Sequence, residues 1–209
     1  IAHQDGLSLM CGQRVVGVDP GRDRSRVSLS GGQTLTARLV VAADSRFSET
    51  RRSMGIPADS HDFGRTMLVC RMNHERPHHQ VAWEWFGYGQ TLALLPLAEH
   101  QSSVVVTLPP GDIQGLMGAP EPEFSTAMAG RFQGRLGAMS LASTRHAYPL
   151  VGVYPRRFVA GRFALVGDAA HGVHPIGGQG LNLGFRDVAA LVECVADAVA
   201  VGLDPADAD

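Results

Sequence analysis

The 209-residue chain contains no lysine: all 18 of its basic residues are arginine. Without that amine there is no Schiff-base nucleophile, no pyridoxal phosphate anchor and no phosphate-loop Gly-Lys-Ser/Thr signature. Cysteine is scarce too. Cys11, Cys70 and Cys194 are odd in number and far apart, so they form neither a disulfide framework nor a Cys-x-x-Cys metal knuckle, and they point to a reducing compartment. A net charge of −2, with arginines scattered among acids, offers no basic stripe for nucleic acid. No apolar run reaches the roughly 18 residues that a membrane span needs. The longest candidate, Leu183 to Leu203, is broken by Arg186, Asp187, Glu193 and Asp197. No secretory leader pattern is visible, internal repeats are lacking, and the opening residue is Ile1 rather than methionine. The chain is expected to be part of something longer.

What is present is ordinary globular material, with 44% hydrophobic and 18% charged residues and enough length for one domain or one and a half. Residues 7–44 read as β structure. Arg14 to Val18 and Arg26 to Ser30 flank the turn-rich Asp19-Pro20-Gly21-Arg22-Asp23, and a second turn falls at Gly31-Gly32. The continuous apolar run Leu39 to Ala43 then fits a strand covered on both faces in a parallel sheet. It ends on Asp44, where open α/β sheets place their ligands. Between about 60 and 155 the pattern shifts to strands at Thr66–Arg71, Gln80–Phe86, Thr91–Leu97 and Ser102–Leu108. One helix is expected over Glu123–Leu136, carried by Phe124, Met128, Phe132 and Leu136. Phe163 to Val166 resumes the buried-strand pattern. From Leu181 onward Val188, Leu191, Val192, Val195 and Val199 mark one face of a helix.

The most informative stretch runs from Phe163 through Gly167-Asp168-Ala169-Ala170-His171 and Pro175 to Gly178-Gln179-Gly180-Leu181-Asn182-Leu183-Gly184. A buried strand ends in Gly-Asp, a Pro/Gly loop follows, and a helix begins. Glycines let backbone approach a ligand closely, and a helix start offers unpaired N–H groups to negative charge. Asp168, when ionised, accepts hydrogen bonds from hydroxyls such as those of a sugar alcohol. The usual dinucleotide fingerprint is not met, because Leu183 stands where a third glycine belongs and the strand ends ten residues too early. Composition alone does not choose between a ligand loop and a tight loop with a structural Asp cap.

These residues, together with Arg186-Asp187, resemble the second flavin-binding motif of the single-component FAD-dependent aromatic-ring hydroxylases, in the branch of the ubiquinone-biosynthesis hydroxylases. Asp44-Ser45-Arg46-Phe47-Ser48-Glu49-Thr50-Arg51 is similar to that family's Asp-Gly-x-x-Ser-x-x-Arg signature, with Ser45 in place of glycine. The similarity covers about Gly6 to Leu203, including Leu95-Pro96-Leu97 and Tyr148-Pro149-Leu150. The family's opening βαβ unit, with its Gly-x-Gly-x-x-Gly turn, has no counterpart in these residues. The resemblance therefore implies an α/β chain, para-hydroxybenzoate hydroxylase-like. Residues 1–59 and 156–209 would form an incomplete Rossmann-like FAD-binding domain, and 60–155 an inserted antiparallel substrate-binding sheet.

It further implies an FAD-dependent monooxygenase that hydroxylates a phenolic ring with O2 and NAD(P)H, on a polyprenylated ubiquinone precursor. The 209 residues alone are expected to be inactive. FAD contacts are expected from Asp44, Arg51, Gly167, Asp168, Pro175, Gly178, Gln179, Gly180, Leu181 and Asn182. No catalytic acid or base is evident, and His171 and His174 are the only nearby candidates. A ubiquinone-biosynthesis complex and a cytoplasmic location with peripheral membrane contact follow from the same resemblance. The alternatives are a hydroxylase of a soluble phenol or benzoate, and a flavin-free fragment or assembly subunit whose hydrophobic sheet face binds other proteins.

Three further patterns are weighed and set aside as sites. His74-Glu75-Arg76-Pro77-His78 matches His-Glu-x-x-His, a zinc string that works only on a helix, and Pro77 sits in its interior. His171 and His174 lack a third metal ligand close in sequence. Trp83-Glu84-Trp85 faintly resembles a flavin halogenase motif without its Ile-Pro. On a strand, Val81, Trp83 and Trp85 share a face, which reads first as core and second as a substrate wall.

Overall fold

The computed structural model describes residues 4–206. They form two compact units, residues 4–61 with 151–206, and residues 62–150. The chain passes between them inside two strands, β5 (Ala58–His74) and β10 (His146–Pro155).

In the first unit, β1 (Val15–Asp19), β2 (Ser25–Leu29) and β3 (Thr34–Ala37) make an antiparallel meander. β4 (Val40–Ala42) then pairs in parallel with β11 (Phe163–Leu165), more than 100 residues later in sequence. β11 is buried throughout, as its apolar run predicts, whereas Val41 at the centre of β4 is exposed. That part of the expectation fails because alternate β4 side chains point to opposite faces and only one face is covered. Helix α1 (Glu49–Ser53) follows β4, and α4 (Gly180–Ala200) follows β11. The apolar stripe of α4 is as expected, yet Val188, Val192 and Val199 are exposed and no residue of the helix is buried. Among the described residues, no helix is long and apolar enough to cross a membrane.

The second unit is one sheet on two helices. Its strand order is β10-β5-β8-β7-β6, with β6 (Trp83–Gly87), β7 (Gln90–Pro96) and β8 (Gln101–Leu108) in antiparallel register and β9 (Met139–Leu141) beside β5. Period-two alternation sends Leu68, Cys70, Met72, Leu92, Leu94, Val104 and Val106 to one face, where they are fully buried. They pack on α2 (Pro110–Gly118) and α3 (Glu121–Arg131).

Helix α2 is not among the expected elements, and it carries Pro110, Gly111, Gly115 and Gly118, all poor helix formers. Pro110 instead occupies the tolerated first turn, and Arg145 donates to the carbonyls of Leu116 (2.7 Å) and Ala119 (2.8 Å) at the helix end. α3 stops short of Leu136. Gln133 and Gly134 both take positive φ, and the Gly134 N–H closes back on the Ala129 carbonyl. Phe124, Met128, Phe132 and Leu136 are nevertheless all buried.

The core reading of Trp83 and Trp85 is overturned: both are exposed, because β6 is the edge strand, and Val81 lies outside it. His74 and His78 spend their ring nitrogens inside the fold, on Arg76 O and Ser102 Oγ, and on Ala98 O and Gln80 N–H, respectively.

Candidate functional site

Two loops leave the carboxyl ends of the parallel pair β4 and β11, the position where open α/β sheets take ligands. The first, 43–48, leads into α1. Ser48 caps that helix by accepting from the Arg51 N–H (2.9 Å). The Asp44 carboxylate accepts from the Thr50 N–H (3.3 Å) and hydroxyl (3.1 Å). Burial acts to raise its pKa. Hydrogen bonds from the Ser48 hydroxyl, the Thr50 and Ser45 N–H groups and the Thr50 hydroxyl outweigh this and hold it below the usual carboxylate value. Asp44 thus acts on its own loop as a fixed anion.

Arg51 is 5% exposed and donates to the Arg46 carbonyl (3.0 Å), while its Nε is buried without a partner. Burial first, and then the neighbouring Arg52 charge, lowers its pKa from the ordinary arginine value; Asp44 partly opposes this.

The second loop begins at Gly167, whose φ of +60° glycine takes without strain. Its N–H donates to Asp187 on the second turn of α4 (2.8 Å). Asp187 also binds His171 Nε2 (3.0 Å to Oδ1), and His171 packs edge-on against Phe158. Gly184 faces this turn, where a Cβ would meet the Gly167 Cα at 3.4 Å, an ordinary contact. His171 is therefore a buried member of a helix-to-loop clamp. His174 Nδ1 accepts from the Ile176 N–H (3.2 Å) and caps the 3-10 turn Pro175–Gly177, with Pro175 at its first position. Gly178 is left-handed (φ 60°, ψ 20°).

α4 then starts with no side-chain cap. Gln179 turns its amide to the Gly177 carbonyl and to Asn182, and the first helical N–H bond is from Leu183 to the Gln179 carbonyl. The donors of the first helical turn, at Gly180, Leu181 and Asn182, remain for a ligand, backed by the dipole of 21 residues. Gly180 does not share the left-handed φ of Gly178, and nothing lies within 4 Å of where its Cβ would be.

Arg46 joins the two loops. Its Nη2 meets the half-exposed Asp168 carboxylate at 3.2 Å, its Nη1 reaches the Val151 carbonyl, and its stem lies against Gly172, where a Cβ would clash at 2.7 Å. Arg46 and Asp187 are the residues that sequence reasoning passed over. Both lie inside the recognised motifs, but only the fold shows that one bridges those motifs and the other locks the loop.

On chemistry these residues fit a flavin nucleotide. A carboxylate is available to hydroxyls, an uncapped helix start to a negative ring edge, and the orphaned buried guanidinium N–H of Arg51 lies in α1. NAD(P)H has no site that these contacts define.

The chain is 42% identical to ubiquinone hydroxylase UbiM of Neisseria meningitidis over 98% of its length and 44% of the relative's. It is 40% identical to ubiquinone hydroxylase UbiL of Rhodospirillum rubrum over 95% of its length and 46% of the relative's. It thus spans less than half the length of either. Among solved structures it is similar to PqsL, a probable FAD-dependent monooxygenase of Pseudomonas aeruginosa. There the TM-score is 0.73 at 26% identity, covering 90% of this chain and 54% of that one. HpxO of Klebsiella pneumoniae, solved with FAD and uric acid, shares the fold, with a TM-score of 0.67 at 22% identity over 88% of this chain and 49% of that one. Residues 2–201 match the FAD binding domain family, and the chain belongs to that family.

Proposed function

We propose that the protein is an FAD-dependent monooxygenase that hydroxylates a phenolic ring of a polyprenylated ubiquinone precursor, with O2 and NAD(P)H. The observation that carries this reading is the Arg46–Asp168 bridge. It joins two motif loops beside the uncapped start of α4. In this reading Asp168 accepts from the ribityl hydroxyls and Arg46, 3.2 Å away, keeps that carboxylate aimed. The N–H groups of Gly180 to Asn182 donate to the ring edge, where negative charge gathers on reduction. Gly167, Pro175, Gly178 and Gln179 shape the loop, and Asp44 and Arg51 hold the opposite loop in place. Bound FAD supplies the oxygen chemistry, and NAD(P)H its electrons.

Residues 1–59 and 156–209 are assigned to the flavin, and 60–155 to the substrate. The sheet face opposite the core carries Met67, Val69, Ala93, Leu95 and Val105, half-buried or exposed, an apolar wall suited to a ring with a prenyl tail. The same reading places the protein in the cytoplasm at the membrane periphery, within a ubiquinone-biosynthesis complex. His171 and His174 are structural in it, since each is already bonded within the loop.

The test is product mass in the flavin-loaded full-length protein supplied with NADPH and air. A prenylated phenol should gain one oxygen atom. Gain on a benzoate alone would favour the soluble-phenol reading, and a protein that takes up no flavin would favour the assembly subunit.

A further inference from the structure

We propose that His78 is an acid-operated latch. Protonation of its ring at Nδ1 releases the left-handed turn at His79 and Gln80 and loosens the edge strand β6 that follows. His78 is 3% exposed, and both of its ring nitrogens are engaged. Nε2 lies 2.6 Å from the Ala98 carbonyl, which can only accept, so Nε2 carries the hydrogen. Nδ1 accepts from the Gln80 N–H at 3.1 Å, so it keeps its lone pair. These partners fix one neutral tautomer and leave no place for a second proton.

What that lone pair holds is strained. His79 and Gln80 stand at φ of 52° and 59°, two consecutive non-glycine residues in the left-handed region. The Val81 N–H closes the turn on the His78 carbonyl (3.0 Å), and the His78 N–H reaches the Glu99 carbonyl (3.4 Å). One residue thus ties the loop after β5 to the turn between β7 and β8. With Nδ1 protonated, ring and Gln80 N–H meet donor to donor, the strained pair loses its acceptor, and the charged ring is better solvated outside. Acid therefore selects the open loop. β6 begins three residues beyond Gln80 and is held by β7 alone. Its pairing sets Glu84 and Phe86 on the face that carries Ala93, so the latch governs one margin of the apolar wall assigned to substrate. That consequence rests on the proposed function; the latch itself does not.

The titratable groups around His78 respond differently. The His74 ring on β5 lies 5.6 Å away between centroids. Its Nδ1 donates to the Arg76 carbonyl, and its Nε2 meets the Ser102 hydroxyl, which can turn from donor to acceptor. His74 can therefore take a proton without breaking a bond. His100, exposed in the β7–β8 turn, donates from Nδ1 to the His74 carbonyl, and His79 is exposed. Glu75 accepts from the Ala138 N–H, Glu99 and Arg76 are exposed, and Arg135 lies over Trp83. Among the described residues no carboxylate pairs with His74, His78 or His100, so nothing offsets a charge on His78.

The test needs neither flavin nor substrate, so its failure is distinct from failure of the proposed function. Ring-nitrogen chemical shifts should show His78 as the neutral Nε2–H tautomer at about pH 7.5. On acidification to about pH 5.5, hydrogen-exchange protection of the Gln80 amide, corrected for the intrinsic rate, should fall about tenfold more than that of Val104 and Val106 in β8. His78→Asn places an oxygen near the Nδ1 position and cannot titrate, so its Gln80 amide should be equally protected at both pH values. His74→Gln should leave the pH dependence of Gln80 in place. The proposal is overturned if neutral His78 carries its hydrogen on Nδ1, or if Gln80 and Val104 lose protection in parallel. It is likewise overturned if the pH dependence survives in His78→Asn or disappears in His74→Gln.

Discussion

The two units are stabilised in different ways. In residues 62–150 a single cluster of buried side chains runs unbroken from the sheet into α2 and α3. The other unit has two small clusters, around Phe163 and around Val27, and its longest helix buries no residue. What orders its loops is polar: Arg46 on Asp168, Asp187 on Gly167 and His171, and the buried Arg162 on the carbonyls of Arg22 and Arg38 and on Asp204. Apolar burial is non-directional, whereas charge-assisted hydrogen bonds fix atoms. A unit that must place donors and acceptors around a ligand uses the second kind, and the sheet-and-helix unit uses the first.

The sharpest way to break that contrast is in the packed unit. Phe124 is fully buried beneath the Arg145 guanidinium, and Phe124→Ala should cost about 3–5 kcal/mol in chemical denaturation. In the polar unit, Asp187→Ala orphans the Gly167 N–H and a His171 nitrogen and should cost about 1–3 kcal/mol. Asp187→Asn, which keeps an acceptor, should recover part of that loss. If Asp187→Ala unfolds at the parent's denaturant midpoint, the clamp orders nothing.

A smaller effect comes from pH. Burial, above all, with the adjacent His78 and His100, lowers the His74 pKa, against the hydrogen bond to the Arg76 carbonyl, which raises it. The folded state therefore prefers the neutral ring, and stability is lost as pH falls below about 6.5, the ordinary imidazole value. Thermal melts followed by tryptophan emission, which reports on this unit, should fall from pH 7 to 5, and His74→Gln should flatten the slope. Smallest of all, Val192→Ala on the exposed stripe of α4 should stay within about 0.5 kcal/mol of the parent.

The same contrast explains what was legible in the sequence. Alternation exposed the strands of the packed unit, because burial on one face writes a period of two directly into the residues. Phe163–Leu165 was legible as a buried run for a similar reason. Helix α2 was not, since Pro110 and Gly111 mask a helix whose end is completed by Arg145, nearly thirty residues downstream. The exposure of Trp83 and Trp85 depends on β6 being an edge strand, which no local pattern encodes. At the candidate site the loop glycines, Asp168 and the start of α4 were readable from the strand-loop-helix order. Arg46 and Asp187 were not singled out, because their partners lie 122 and 16–20 residues away. The left-handed backbone in this loop belongs to Gly178, and Gly180 does not share it. Gly180→Val should therefore fold normally, and any loss of flavin it causes would report a close approach of ligand to the helix start.

The measurement that bears most directly on this account is FAD affinity by flavin-fluorescence titration of the protein and its Asp168→Ala variant. Loss of hydrogen bonds to a charged acceptor is worth roughly 1.5–3 kcal/mol, so Kd should rise about 10- to 150-fold. Asp168→Asn should fall in between, because its amide oxygen still accepts. An unchanged Kd in Asp168→Ala would show that the Arg46–Asp168 bridge is structural only, and that the flavin, if held at all, is held elsewhere.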